Sequence, residues 1–367
     1  MTSINNKVKI IYKKISRIPR NELFFRLKIG AKKYYADYPA TIVYQTVSAC
    51  NLQCKHCFIT NYGVEISDGV TKIVLFDEFK KIADRLHPMI RKANFFIFST
   101  FEAIINKDLF RMMDYILAIN PNIRFPFLSN AMQLSPEKIT MLEKYPLSEL
   151  NISLDGVTKD VVEAFKTGVD FDKLLETLNR LQNSKISAKV TVTFVAHKKN
   201  IHQLPEVLNL VNHYGIKSVY VSNLLSFTKD NQDQVLYSND GNVEAEKIFK
   251  EAIAIAQKNK QVLELPQLKP KLKGCQSVES FFVNHNGNVS PCDFLAVTTP
   301  FTFMGNTITN PPVVFGNVLF DDPIEIYRSQ AFVSFRNKHR LAEDLPEVCL
   351  NCIDAYGLMC SNRTVYS

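Results

Sequence analysis

The chain has no run of eighteen apolar residues, which excludes a membrane-spanning helix of ordinary length. Its first residues lack the uninterrupted apolar core of a secretion signal, because lysines break every apolar stretch, so an intracellular, cytoplasmic protein is expected. No internal repeat is present. Nothing resembling a nucleic-acid-binding module accompanies the basic residues, and nucleic acid is not expected as a partner. Between Cys57 and Cys275 there is no cysteine at all. The eight cysteines fall in two groups, Cys50, Cys54 and Cys57, then Cys275, Cys292, Cys349, Cys352 and Cys360. In a reducing compartment such clusters are metal ligands more often than disulfides, and a disulfide framework is not expected in a chain this large.

With 367 residues, 46% of them hydrophobic, the chain suffices for one large and one small domain with a sizeable core. The net charge of +8 is concentrated at one end. Residues 1–40 carry ten Lys or Arg against Glu22 and Asp37, and the remainder is close to neutral. Val8, Ile11, Ile15 and Ile18, then Leu23, Phe24 and Leu27, have roughly helical spacing. An amphipathic extension laid on the main domain is the plain reading. A membrane-surface helix and a dock for an acidic substrate are the alternatives.

From residue 41 to about 225, short β-rich runs alternate with amphipathic stretches. Strands are expected at Thr41–Val47, Phe95–Ser99, Ile123–Leu128, Leu150–Leu154, Lys189–Val195 and Ser218–Ser222. Helices are expected between them, for example at Phe76–Leu86, Leu109–Ile119, Phe171–Leu181 and Leu204–Tyr214. Six β-then-α units imply parallel strands joined by right-handed crossovers, in an open partial barrel or a doubly wound sheet. Residues 226–270, polar and then helical over Val243–Lys258, read as a linker and bridging helix. Residues 271–367 read as a small second domain organised by metal, with a hairpin turn at Asn286–Gly287.

Cys50-x3-Cys54-x2-Cys57 directly follows the first strand, at the edge of a parallel sheet where active sites form. Three thiolates on one loop suit a cubane cluster that leaves one iron without a protein ligand. Structural zinc would need a fourth donor, which His56, between two ligands, is poorly placed to supply. The run Cys-Asn-Leu-Gln-Cys-Lys-His-Cys-Phe resembles the radical S-adenosylmethionine superfamily, whose signature is C-x3-C-x-aromatic-C. The resemblance implies a partial (β/α)6 TIM-like barrel. It also implies a [4Fe-4S] cluster on these cysteines, S-adenosylmethionine on the open iron, a 5′-deoxyadenosyl radical that abstracts a substrate hydrogen, and an external one-electron donor such as flavodoxin or ferredoxin.

The same resemblance nominates further cofactor contacts. His56 takes the aromatic position near the adenine. The family's G-G-E-P run corresponds to Thr100, Phe101, Glu102 and Ala103, of which only Glu102 is retained, and a Phe replaces a Gly where backbone approaches ligand. Leu128-Ser129-Asn130-Ala131 matches a T-N-G turn, and Ser153-Leu154-Asp155-Gly156 matches an S-L-D-G run. Asn130, Ser153 and Asp155 are thereby ribose-side candidates, Lys166 a partner for the cofactor carboxylate, and Asn223 an adenine-side candidate. Each of these types also caps helices or ends strands.

Cys275-x11-Gly287-x4-Cys292 and Cys349-x2-Cys352 would close one site, a cubane or, taken alone, zinc. This region resembles the SPASM and twitch domains of the superfamily, with Gly316-Asn317-Val318 matching their G-N-I segment. The resemblance implies one auxiliary [4Fe-4S] cluster on Cys275, Cys292, Cys349 and Cys352. Cys360 is a replacement ligand, a catalytic hydrogen donor or a spare thiol. With no leader-binding module of usual size before the barrel, a small-molecule oxidation, epimerisation or rearrangement, as of a sugar or alcohol, is expected. A peptide-modifying maturase and a non-catalytic relative with a weakened cofactor site are the alternatives.

Overall fold

A computed structural model describes residues 38–57, 72–227, 229–342, 344–359 and 364–366. The expectations for residues 1–37 and for Cys360 lie outside the described residues. Among the described residues no helix is long and apolar enough to cross a membrane.

Six parallel strands appear in the expected order: β1 Thr41–Tyr44, β2 Phe95–Ile97, β3 Phe125–Ser129, β4 Leu147–Ser153, β5 Val190–Ala196 and β6 Ser218–Asn223. The crossovers are α1 Phe76–Ile90, α2 Leu109–Ile119, α3 Pro136–Leu142, α4 Lys159–Phe165 with α5 Phe171–Gln182, α6 Leu204–His213, and α7 Val243–Asn259. β1 pairs with β2, β3 to β6 pair in sequence, and a bridge from Phe95 to Arg124 joins the two stretches. The chain is thus an α/β partial barrel with a smaller C-terminal region.

Alternation along the strands decides which side packs. Ile42, Tyr44, Phe96, Phe125, Leu150, Ile152, Val192, Phe194, Val219 and Val221 are fully buried in the core that the helices cover. In α1 the buried Phe76, Phe79, Ile82, Ala83, Leu86, Met89 and Ile90 recur every three or four residues, and Glu78 closes the helix start by accepting the Leu75 N–H at 3.0 Å. Truncating a side chain as buried as Phe79 would cost about 3–5 kcal/mol. The opposite, inner face is different. On β4 to β6 it presents Glu149, Asn151, Ser153, Thr191, Thr193, Val195, Tyr220 and Ser222, whereas on β1 to β3 it presents Thr41, Val43, Phe95, Ile97, Pro126 and Leu128. A barrel packed solid would fill that face with branched apolar side chains. Half of it is polar instead, as befits a lined site.

Two features differ from the reading of the sequence. Val262–Leu265, within the expected linker, forms β7 and pairs in parallel with β6, so α7 is another crossover. Four residues are too few to carry a periodicity. The second difference concerns the Asn-Gly hairpin, β8 Phe281–Val283 and β9 Asn288–Ser290, which does not make a sheet of its own: β8 pairs in parallel with β1. The run Phe-Phe-Val is buried on both faces, which suits a strand inside a larger sheet. Beyond it, β10 Thr299–Phe303 and β11 Asn306–Asn310 form a separate ribbon, and β12 Gly316–Asn317 pairs with β9. Helices α8 Pro323–Arg328 and α9 Gln330–Leu341 follow, and β13 Thr364–Tyr366 pairs with β7.

Candidate active site

The cysteine loop leaves the carboxyl end of β1 already fixed. Thr46 N–H donates to Phe98 O at 3.0 Å, Val74 N–H to Thr46 O at 3.0 Å and Ser48 N–H to Lys72 O at 2.9 Å. Further on, Gln53–Cys54 pairs antiparallel with Lys166–Thr167, and the Lys55 N–H reaches Phe165 O at 3.0 Å. The end of α4 thereby clamps the ligand loop. Gly168, at φ +92°, lets the chain turn against Leu52, where an added Cβ would lie 3.4 Å from that side chain.

Cys50, Cys54 and Cys57 are partly buried thiols on this loop, none of them in a disulfide. The Cys50 Sγ accepts the Leu52 N–H at 3.4 Å and the Asn130 amide at 3.5 Å, contacts that favour a thiolate. Burial nevertheless raises the Cys50 thiol, and it pushes Cys54 up to about 12 against the opposing charge of Lys166. Such thiols ionise when a cation takes the proton's place.

Around the loop stand most of the residues expected from sequence. Lys166, 3% exposed, donates from Nζ to Ser153 Oγ at 2.6 Å and Ser153 O at 2.9 Å, and pairs with Asp155 at 3.1 Å. Burial alone would raise the Asp155 carboxyl, but Lys166, His56 and the Val195 N–H outweigh it and hold it below its usual range. Glu102 receives the Ser129 hydroxyl and the Asn130 N–H, each at 2.7 Å, and so ties the β2 loop to the end of β3. Burial lifts its carboxyl to about 7 despite these bonds. The Asn130 amide also donates to Asn51 Oδ1 at 2.9 Å. The His56 ring stacks on Phe165 at 5.0 Å, and Phe165 stacks on His197 at 4.0 Å. Desolvation lowers both histidines to about 4, so both are neutral. Neither Phe165 nor His197 carries a sequence signal; only the folded loop brings them under His56.

Phe101 packs with the cluster of Phe227, Phe301 and Phe294, which joins the β2 loop to the C-terminal region. Thr100 faces Asp293, whose carboxyl burial raises and Thr100 partly restrains. Asn223 stands apart from this group: its amide donates to Gln267 O at 2.8 Å and Leu358 O at 2.9 Å, pinning the chain beyond β7 to the end of β6.

The second cysteine group comes from three separate segments and converges. Cys275, Cys292, Cys349 and Cys352 all line one cavity, walled otherwise by apolar groups including Val278, Leu295 and Phe301 and by the polar Asn310 and His339. The Cys275 thiol donates to Asp354 Oδ2 at 2.9 Å, and its backbone N–H donates to His339 Nδ1 at 3.1 Å. Gly274, at φ +74°, is required here, because a Cβ would lie 2.0 Å from the His339 carbonyl oxygen. Burial raises all four thiols, with Asp354, Asp293 and the neighbouring thiols adding to it. Among the described residues no three Cys, His, Asp or Glu donors are drawn together as tightly as one ion requires. The donor sets, three thiols beside polar groups and four thiols around a cavity, fit two cubane clusters.

A partial barrel with three thiols at its first loop and four more around a separate cavity presents two cysteine sites suited to iron–sulfur clusters. The radical SAM superfamily profile matches residues 44–211, and that of SPASM, an iron–sulfur cluster-binding domain, matches residues 275–353. The chain belongs to the radical S-adenosylmethionine superfamily and carries a SPASM-type region.

Among its relatives, the mycofactocin maturase MftC of Mycobacterium tuberculosis is 27% identical over 179 residues, 49% of this chain and 43% of the maturase. The chain therefore spans less than half the length of that relative. The tungsten-containing aldehyde ferredoxin oxidoreductase cofactor-modifying protein of Pyrococcus furiosus is 25% identical over 304 residues, 80% of this chain and 82% of that protein. In structure the chain is similar to SuiB of Streptococcus suis bound to S-adenosylmethionine, with TM-score 0.62 and 15% identity, covering 95% of this chain and 82% of that one.

Proposed function

We propose that the chain takes a hydrogen atom from a polar, hydroxyl-bearing small molecule such as a sugar or alcohol and leaves it oxidised. What carries this reading is one juxtaposition. Three thiols on one loop and the buried Lys166–Asp155 pair share a rim above an inner face whose β4–β6 half is mostly polar. Cys50, Cys54 and Cys57 would hold a [4Fe-4S] cluster with one iron left for S-adenosylmethionine. Given one electron by a donor such as flavodoxin or ferredoxin, that pair would supply 5′-deoxyadenosyl radical chemistry.

The remaining work belongs to the chain. Asn130 steadies Cys50, and the clamp from Lys166–Thr167 keeps the loop closed on the rim. Asn151 and Thr191 face each other in register, and their Oδ1 and Oγ1 atoms are buried without a partner. A substrate hydroxyl or amide satisfies them, and only one that does so is oriented for hydrogen transfer. A peptide is the second reading, prompted by the relatives that are named maturases.

Anaerobic reconstitution should give roughly eight irons per chain, two cubanes' worth. The dithionite-reduced protein should convert S-adenosylmethionine to 5′-deoxyadenosine. Replacing Cys50, Cys54 and Cys57 by alanine should remove about half the iron and all of that product. Failure of wild type to form 5′-deoxyadenosine would overturn the reading in favour of a non-catalytic relative. Deuterium passing into 5′-deoxyadenosine from a labelled polyol supports the small-molecule reading; passing from a labelled peptide, it decides for the second.

A further inference from the structure

The wall of the four-cysteine cavity carries two polar side chains besides the thiols, Asn310 and His339. His339, on α9, is 3% exposed and lines the cavity with Cys275, Cys292, Cys349 and Cys352. Its Nδ1 accepts the backbone N–H of Cys275 at 3.1 Å. A nitrogen that accepts carries no proton, so the proton of this imidazole sits on Nε2. Nε2 is buried and has no partner in the protein. The ring is held by that bond and by packing on Phe335, with centroids 5.3 Å apart. A buried N–H donor without an acceptor is costly, and apart from Asn310, whose amide donates to Val348 O at 2.7 Å, the surrounding wall is thiols and apolar groups.

We propose that the acceptor is a sulfur of the C-terminal iron–sulfur cluster, and that His339 sets the reduction potential of that cluster through an Nε2–H···S hydrogen bond. The inference rests on the reading of this cavity as a cluster site. A donor aimed at a cluster sulfur stabilises the more negative, reduced state, and therefore raises the potential. His339 is a positioning and tuning residue; the four cysteines are the ligands.

Two substitutions separate this role from a structural one. In His339→Asn the side-chain oxygen replaces Nδ1 as the partner of the Cys275 N–H, but nothing reaches the Nε2 position. In His339→Gln the amide nitrogen occupies roughly the Nε2 position and keeps a donor there. Both are made in the full chain with Cys50, Cys54 and Cys57 as alanines, so that the C-terminal cluster alone reports. An EPR-monitored redox titration should place the Asn variant at a more negative potential than its parent and the Gln variant near the parent, with iron content equal in all three. Equal potentials in parent and Asn variant overturn the proposal. So does loss of iron from the Gln variant alone with circular dichroism unchanged and the Asn variant at the parent's potential, because His339 would then be needed only to hold the Cys275 loop. A parent that takes up no iron overturns the cluster reading itself, a distinct outcome.

Discussion

The two cysteine sites use the same donor atom in different electrostatic settings, for only the first has a buried cation to offset its carboxyls. At the first, a buried ammonium stands next to the thiols: Lys166 pairs with Asp155 and opposes the rise of Cys54. At the second the neighbours are carboxyls: Asp354 accepts the Cys275 thiol, and Asp293 adjoins Cys292. One is a three-thiol loop on a polar rim. The other is a four-thiol cavity with a mostly apolar wall. A site meant to receive a charged ligand on an open iron needs an adjustable polar surround, whereas a site closed by four ligands needs shielding and a fixed potential. The difference in donor number thus recurs in the residues around the donors.

The contrast is broken most severely at Lys166. Lys166→Met would leave the Asp155 carboxylate buried without its ion, a loss of about 3–5 kcal/mol. Urea unfolding should register that loss, and the double variant with Asp155→Asn should recover much of it, since both charges are then gone. If the single variant is as stable as wild type, the pair is solvated and the first site does not depend on a buried cation.

Glu102 is the first site's own buried carboxyl, and its sign can be worked out. Its folded pKa, about 7, lies above the ordinary carboxylate value, so the folded state holds a proton that the unfolded state releases. Stability contributed by the neutral form is present below the unfolded pKa and falls as pH rises toward 7, by up to about 3 kcal/mol. Glu102→Gln should flatten this part of the profile. Denaturant midpoints of both proteins between pH 4.5 and 8 test it. Parallel curves would mean that the Ser129 and Asn130 hydrogen bonds keep Glu102 ionised throughout.

How much of this is legible in sequence follows from the same contrast. The first site is local: three thiols within eight positions, after a strand whose alternation is plain, can be read without a fold. The six strands could be read for the same reason, because apolar runs and periodic helices are properties of neighbours. What could not be read is what distance conceals. β7 lies in a short run behind a polar stretch, and the pairing of β8 with β1 joins residues some 240 positions apart. The ring stack of His56, Phe165 and His197, and the aim of His339 into the four-cysteine cavity, depend on the folded backbone alone. Lys166 was legible as a charge near the site, but its partners Ser153 and Asp155 emerge only when α4 clamps the loop.

The mildest test concerns the contact between the two regions. Phe101 stands where the superfamily pattern has glycine, and its side chain is half-buried against Phe227, Phe294 and Phe301. The substitution exchanges backbone freedom near the cofactor for an aromatic contact with the C-terminal region. Phe101→Gly should therefore weaken that contact by about 1–2 kcal/mol, less than for a fully buried ring because Phe101 is partly exposed already. Hydrogen exchange should rise at β10 and around Phe294, while the core strands β4 and β5 stay protected. Uniform exchange across both regions would place the junction elsewhere, on the β1–β8 pairing, and would make Phe101 a passenger on the rim.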